Sequence, residues 1–206
     1  VAFTDLNSGS QGYFVTYTDG VTLDTVSPDP TTTSFQIGGL TGNTTYTISA
    51  SVICATGDTS ASAISASATT PCAPVSTFPY NEPFLSGSPS VGCWTTINGG
   101  GPSGFQINNS IAAFFNDMFL LPYENLGTQH DDWLISPQFT VTSGVSDEIS
   151  IDAKNYTTQY NEDFSIYLST SSPTVADFQA NLIEANVSPN GNSFTTYTWN
   201  LASYVG

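Results

Sequence analysis

An all-β fold, arranged as two tandem β-sandwiches, is what three features of this chain predict. Segments rich in Val, Ile, Thr, Tyr and Phe alternate apolar and polar side chains with a period of two, the pattern of strands that bury one face. Ser, Thr, Gly and Pro recur at short intervals between those segments, so the chain is expected to turn every few residues. A Pro-Cys-Ala-Pro-Val segment at 71–75 divides the 206 residues into two parts, each able to bury a core.

In the first part, Tyr13, Val15 and Tyr17 share one face of a strand over 13–18, and a second strand over 34–37 follows a Pro-rich turn. Residues 44–52 alternate over a full strand with Tyr46, Ile48, Ala50 and Val52 on one face. Pro71 and Pro74 keep the linker extended. The second part carries expected strands at 112–115, 133–136, 138–142, 148–153, 163–169 and 195–201. A short helix is predicted at 174–182, where Thr174 is placed to cap and Val175, Phe178 and Leu182 fall at helical spacing.

Composition narrows the partners. Seventeen acidic residues stand against one basic residue, Lys154, for a net charge of −16. Phosphate backbones need Lys and Arg to displace counterions, so nucleic acid is not expected as a partner, and anionic membrane surfaces are repelled in the same way. No apolar run approaches the roughly 20 residues that span a bilayer, so membrane insertion is not expected. Aromatics make up 13% of the chain, which predicts ordered cores rather than disorder. With no initiator Met and no basic-then-apolar leader, the chain is expected to be an excerpt from a longer, processed protein.

Of three cysteines, Cys72 and Cys93 flank the start of the second part and are expected to pair. Cys54 and Cys72 sit toward opposite ends of an inferred hairpin, too far apart for the roughly 4.4–6.8 Å Cα separation a disulfide needs. No GxSxG, P-loop or HExxH pattern occurs, and a lone His130 in a Gln-His-Asp loop reads as an exposed bystander, so no enzymatic activity is expected. Trp94, Trp133 and Trp199 each lie in or beside a strand, where an indole serves a core or, at a surface, a sugar-stacking platform. Sequons occur at Asn43, Asn108, Asn155 and Asn186.

Two stretches carry family likenesses. The run Gly39-Leu40-Thr41-Gly42-Asn43-Thr44-Thr45-Tyr46 is similar to the corner of fibronectin type III domains, where a buried tyrosine bonds back to the upstream backbone. That likeness covers 1–71 and implies an Ig-like sandwich whose first strand is missing. Asn81-Glu82-Pro83-Phe84, Phe115-Asn116-Asp117 and Asp131-Asp132-Trp133-Leu134-Ile135-Ser136-Pro137 together resemble the MAM-like jelly-roll modules called cleaved-adhesin or choice-of-anchor J domains. This second likeness covers 78–206, with 72–77 as linker, and implies a jelly roll lacking its closing strands.

The jelly-roll resemblance implies a structural calcium, with Glu82, Asn116, Asp117, Asp131 and Asp132 as the oxygen donors at matching positions. Calcium takes six to eight oxygens from irregular loops, and it would relieve repulsion between the adjacent Asp131 and Asp132. Both resemblances imply export to the surface of Bacteroidetes-type bacteria by type 9 secretion. The function implied is non-catalytic adhesion to glycans or surface proteins, with repetition supplying avidity. Two other roles fit the same residues: a repeat unit of an extracellular filament or sheath, contacting copies of itself, and an accessory region of a secreted hydrolase.

Overall fold

The computed structural model describes residues 1–6, 10–26, 31–54, 57–61, 63–85, 87–101, 103–108, 118–121, 130–159, 162–189 and 191–206. The expected strand at 112–115, together with Asn116 and Asp117, lies outside them. The fold is all-β and divides into two compact units, Val1–Ala73 and Pro74–Gly206.

In the first unit, β1 (Gly12–Thr18), β2 (Leu23–Thr25), β3 (Thr45–Ile53) and β4 (Ile64–Thr69) form one antiparallel sheet in the order β2-β1-β3-β4. The β1–β2 turn is held by Asp19, whose Oδ1 accepts from the Val21 and Thr22 amides at 2.9 and 2.8 Å. Register places Tyr13, Val15 and Tyr17 opposite Val52, Ala50 and Ile48, so the alternating faces read from sequence coincide. Tyr13, Val15 and Ala50 are the buried centre, with Phe3, Val26, Phe35, Ile48 and Val52 packed against them. Phe3 stands edge-on to Tyr13 at 4.7 Å between centroids.

The expected strand at 34–37 is reduced to one bridge, Ala2↔Ser34. Backbone bonds join Phe3 to Thr33 and Phe35 to Val1, and Gly39, at φ 73°, then swings the chain into the corner that follows. In that corner Tyr46 is 7% exposed and its hydroxyl accepts from the Thr41 amide at 3.1 Å. Thr70 Oγ1 closes the other side by donating to Thr41 O at 2.6 Å. A Cβ at Gly42 would lie 2.7 Å from the Ala73 nitrogen, so only glycine fits there.

The second unit contains β5 (Thr95–Asn98), β6 (Gln106–Asn108), β7 (Met118–Leu120), β8 (Asp132–Ile135), β9 (Glu148–Ala153), β10 (Phe164–Tyr167), α1 (Val175–Gln179), β11 (Leu182–Val187) and β12 (Thr195–Asn200). They pair antiparallel as β5–β8, β6–β7, β9–β12 and β10–β11. Val91, Ile135, Val141, Val187, Trp199 and Leu201 are buried. Phe164 of β10 meets Tyr197 and Trp199 of β12 edge-on, at 6.0 and 6.3 Å.

Residues 138–142 do not form the expected strand. Pro137 removes a donor, a single parallel bridge joins Val75 to Phe139, and Ser146 Oγ occupies both Thr142 N–H and Thr140 O. The helix is shorter than 174–182 and begins where expected, with Thr174 Oγ1 accepting from the Asp177 amide; Leu182 instead opens β11. Among the described residues no helix is long and apolar enough to cross a membrane.

Candidate functional site

Asp132 opens strand β8, and Asp131 immediately precedes it. Its ladder with β5 sets Asn98 opposite Asp132 and Thr95 opposite Ile135. A Cβ on Gly99 would lie 2.3 Å from Asp131 O, so this glycine is what lets the turn after β5 rest on Asp131.

Side chains then alternate, as strand geometry requires. The Asp132 side chain is fully buried and its Oδ2 sits 2.7 Å from His130 Nδ1, while its Oδ1 has no hydrogen-bond partner among the described residues. Leaving a buried acceptor open costs about 1–3 kcal/mol, more when it is charged. Asp131 is exposed, and its Oδ1 accepts from Trp133 Nε1 at 3.0 Å. The Trp133 ring is half-buried beside Tyr167, 5.1 Å away, and stacks on Phe178 at 6.0 Å. Phe178 is set there by α1, whose start is fixed by Thr174. The hydroxyls of Ser172 and Thr174 hold the Asp177 carboxyl below the usual carboxylate range.

Glu82 occupies a different arrangement. Its Oε1 accepts from the Phe84 amide at 2.9 Å, and its Oε2 accepts from the hydroxyls of Ser90, Ser88 and Tyr80 at 2.5, 3.1 and 3.4 Å. Trp94 joins this network by donating from Nε1 to Tyr80 at 3.3 Å, with its ring edge-on to Phe84. Phe84 adopts a left-handed backbone, φ 56°, as it bends toward the carboxylate. Glu82 is therefore already an acceptor for four donors.

Among the described residues, no group of three or more His, Cys, Asp or Glu stands together as a metal cage. Asn116 and Asp117 fall outside those residues, and Asp132 Oδ1 is the buried carboxylate oxygen whose chemistry fits a cation. Trp199 is core, 7% exposed, with its Nε1 donating to Glu184. Cys54 is free and exposed, whereas Cys72 and Cys93 are each disulfide-bonded.

No protein-family model, curated protein or solved structure matches the chain.

The pairing of His130 with Asp132 was not foreseen, since His130 was expected in solvent and its side chain is only 18% exposed. His130 precedes β8, which begins at Asp132, so no strand alternation in the sequence pointed to the pairing.

Proposed function

We propose that the chain supplies non-catalytic modules of a secreted or cell-surface bacterial adhesin, which attach to glycans or surface proteins and set spacing along the surface. The observation that carries this proposal is Trp133. A hydrogen bond donated by its Nε1 to the exposed Asp131 carboxylate fixes its indole, and Tyr167 and Phe178 support it. An oriented ring next to an acceptor suits a neutral sugar, which lays C–H groups on the aromatic face and donates hydroxyls to the carboxylate. Asp132 Oδ1 is proposed as a ligand of a structural calcium on the buried side of the same strand.

Glycan-array screening of the intact chain, followed by calorimetry on any hit, tests the adhesive role. Trp133→Ala is expected to weaken binding about tenfold or more, the scale of losing a stacked ring. A blank array, or binding that Trp133→Ala leaves unchanged, overturns the glycan role at this site.

A further inference from the structure

The turn that leaves β5 reads Asn98-Gly99-Gly100-Gly101 and brings a side-chain amide, a backbone nitrogen and a carboxylate together. Asn98 is exposed and makes the last rung of the ladder to β8. Its Oδ1 accepts from the Gly101 amide at 3.4 Å. A Cβ on Gly104 would lie 3.0 Å from Asn98 Cβ and 3.4 Å from its Nδ2, so the side chain is held between two glycine backbones.

Gly99 supplies the nitrogen. Its amide donates to no described residue, and with no Cβ there is nothing to shield it from the side chain before it. Where that Cβ would stand, Asp131 Oδ2 is 3.0 Å away and Asp131 Cγ 3.1 Å, which sets this carboxylate against the Gly99 backbone.

These groups suit an intramolecular acyl transfer. The Gly99 nitrogen attacks Asn98 Cγ, the Asp131 carboxylate takes the amide proton, and the Gly101 N–H stabilises the negative charge that develops on Oδ1. The Cγ–Nδ2 bond then breaks, ammonia leaves with the returned proton, and a succinimide ring joins residues 98 and 99. Water opens the ring at either carbonyl, giving aspartate or isoaspartate. In sum a water is consumed and an ammonia released, with no oxidant or reductant.

We propose that Asn98-Gly99 is a self-modification site of the folded chain, which turns Asn98 into a carboxylate and loosens the β5–β8 ladder as the protein ages. Asn98 pairs with Asp132, and directly opposed residues hold their Cβ atoms about 4.5–5.5 Å apart. The new carboxylate therefore faces a buried one, and isoaspartate adds a methylene to the backbone of that rung. Either product acts against the pairing that buries Asp132.

The test ages the intact chain for days in warm, mildly alkaline buffer made with heavy-oxygen water. Peptides are then mapped by mass spectrometry with fragmentation that separates aspartate from isoaspartate, because Asn190 is also followed by glycine. Position 98 is expected to lose ammonia and gain a solvent oxygen at least as fast in the folded chain as in the same chain kept in guanidinium chloride. Asp131→Ser should slow the folded chain several-fold and leave the unfolded rate unchanged. The aged chain should lose more of its urea midpoint than aged Asn98→Gln does. Slower conversion in the folded chain than in the unfolded one, a comparison that needs no variant, overturns the proposal. So does an equal loss of midpoint in Asn98→Gln, and an unchanged folded rate in Asp131→Ser overturns Asp131 as the base.

Discussion

Asp132 and Tyr46 show how differently two buried polar side chains can be satisfied. Both partners of the Tyr46 bond lie within five residues of each other, which is why the corner was readable from one short stretch. Tyr46→Phe leaves the Thr41 amide without its acceptor and should cost about 1 kcal/mol in urea unfolding; an unchanged midpoint would mean that water replaces the hydroxyl. Asp132 depends on the β5–β8 ladder to be buried at all, so its pairing with His130 could not be read from the Gln-His-Asp loop. Its open oxygen makes a prediction for thermal unfolding. Calcium at a hundredfold excess over Kd should stabilise the chain by about 2.7 kcal/mol relative to chelator, and Asp132→Asn should remove that shift. No shift in the unaltered chain would leave Asp132 as a partner of His130 alone. Asn155 is 6% exposed and its Nδ2 donates to Pro189 O at 2.7 Å, so its sequon is closed to modification in the folded state.

Among the elements, length and regularity decided what could be read. Strands β1, β3, β9 and β12 run six to nine residues and keep their alternation, and each was foreseen to within a residue or two. Strands β2, β6 and β7 have three residues each, less than two full periods, so no alternation marks them in the sequence. Strand β11 was hidden by its own bulges: the register slips against β10, and Asn186 sits at φ 56° where an extra residue is absorbed. The helix start was legible because capping is local. Thr174→Ala should cost about 1 kcal/mol in chemical denaturation, and an effect within error would show that Ser172 alone holds Asp177. Asp19 and Asp177 also set an acid dependence. Backbone amides of Thr22 and Val21 lower Asp19, and the hydroxyls of Ser172 and Thr174 lower Asp177. Groups lowered on folding stabilise above their unfolded value of 3.8 and lose that contribution as pH falls through the folded value. The melting temperature should therefore drop below about pH 4, and less steeply in Asp19→Asn; an identical slope in the variant would remove Asp19 from the account.

At the scale of the whole molecule, a charge of −16 on 206 residues opposes compaction. Raising sodium chloride across the range where the Debye length falls from about 30 Å to about 3 Å should raise the melting temperature, and a flat response would mean that the carboxylates are far enough apart not to repel. The all-β class followed from composition and alternation alone, because both are properties of the chain summed over many segments. The strand pairing within each unit did not, since it is fixed by side chains meeting across long separations, as Phe164 does with Trp199. The lone basic residue carries a last consequence. Lys154 directly follows β9, which is laddered over its full length to β12, and its ammonium lies 4.6 Å from the centre of the Phe194 ring. Trypsin has no other bond to cut in these residues. A nick there would sever the covalent path yet leave the six-pair ladder in place, turning the second unit into two complementary fragments that migrate together until denaturant parts them.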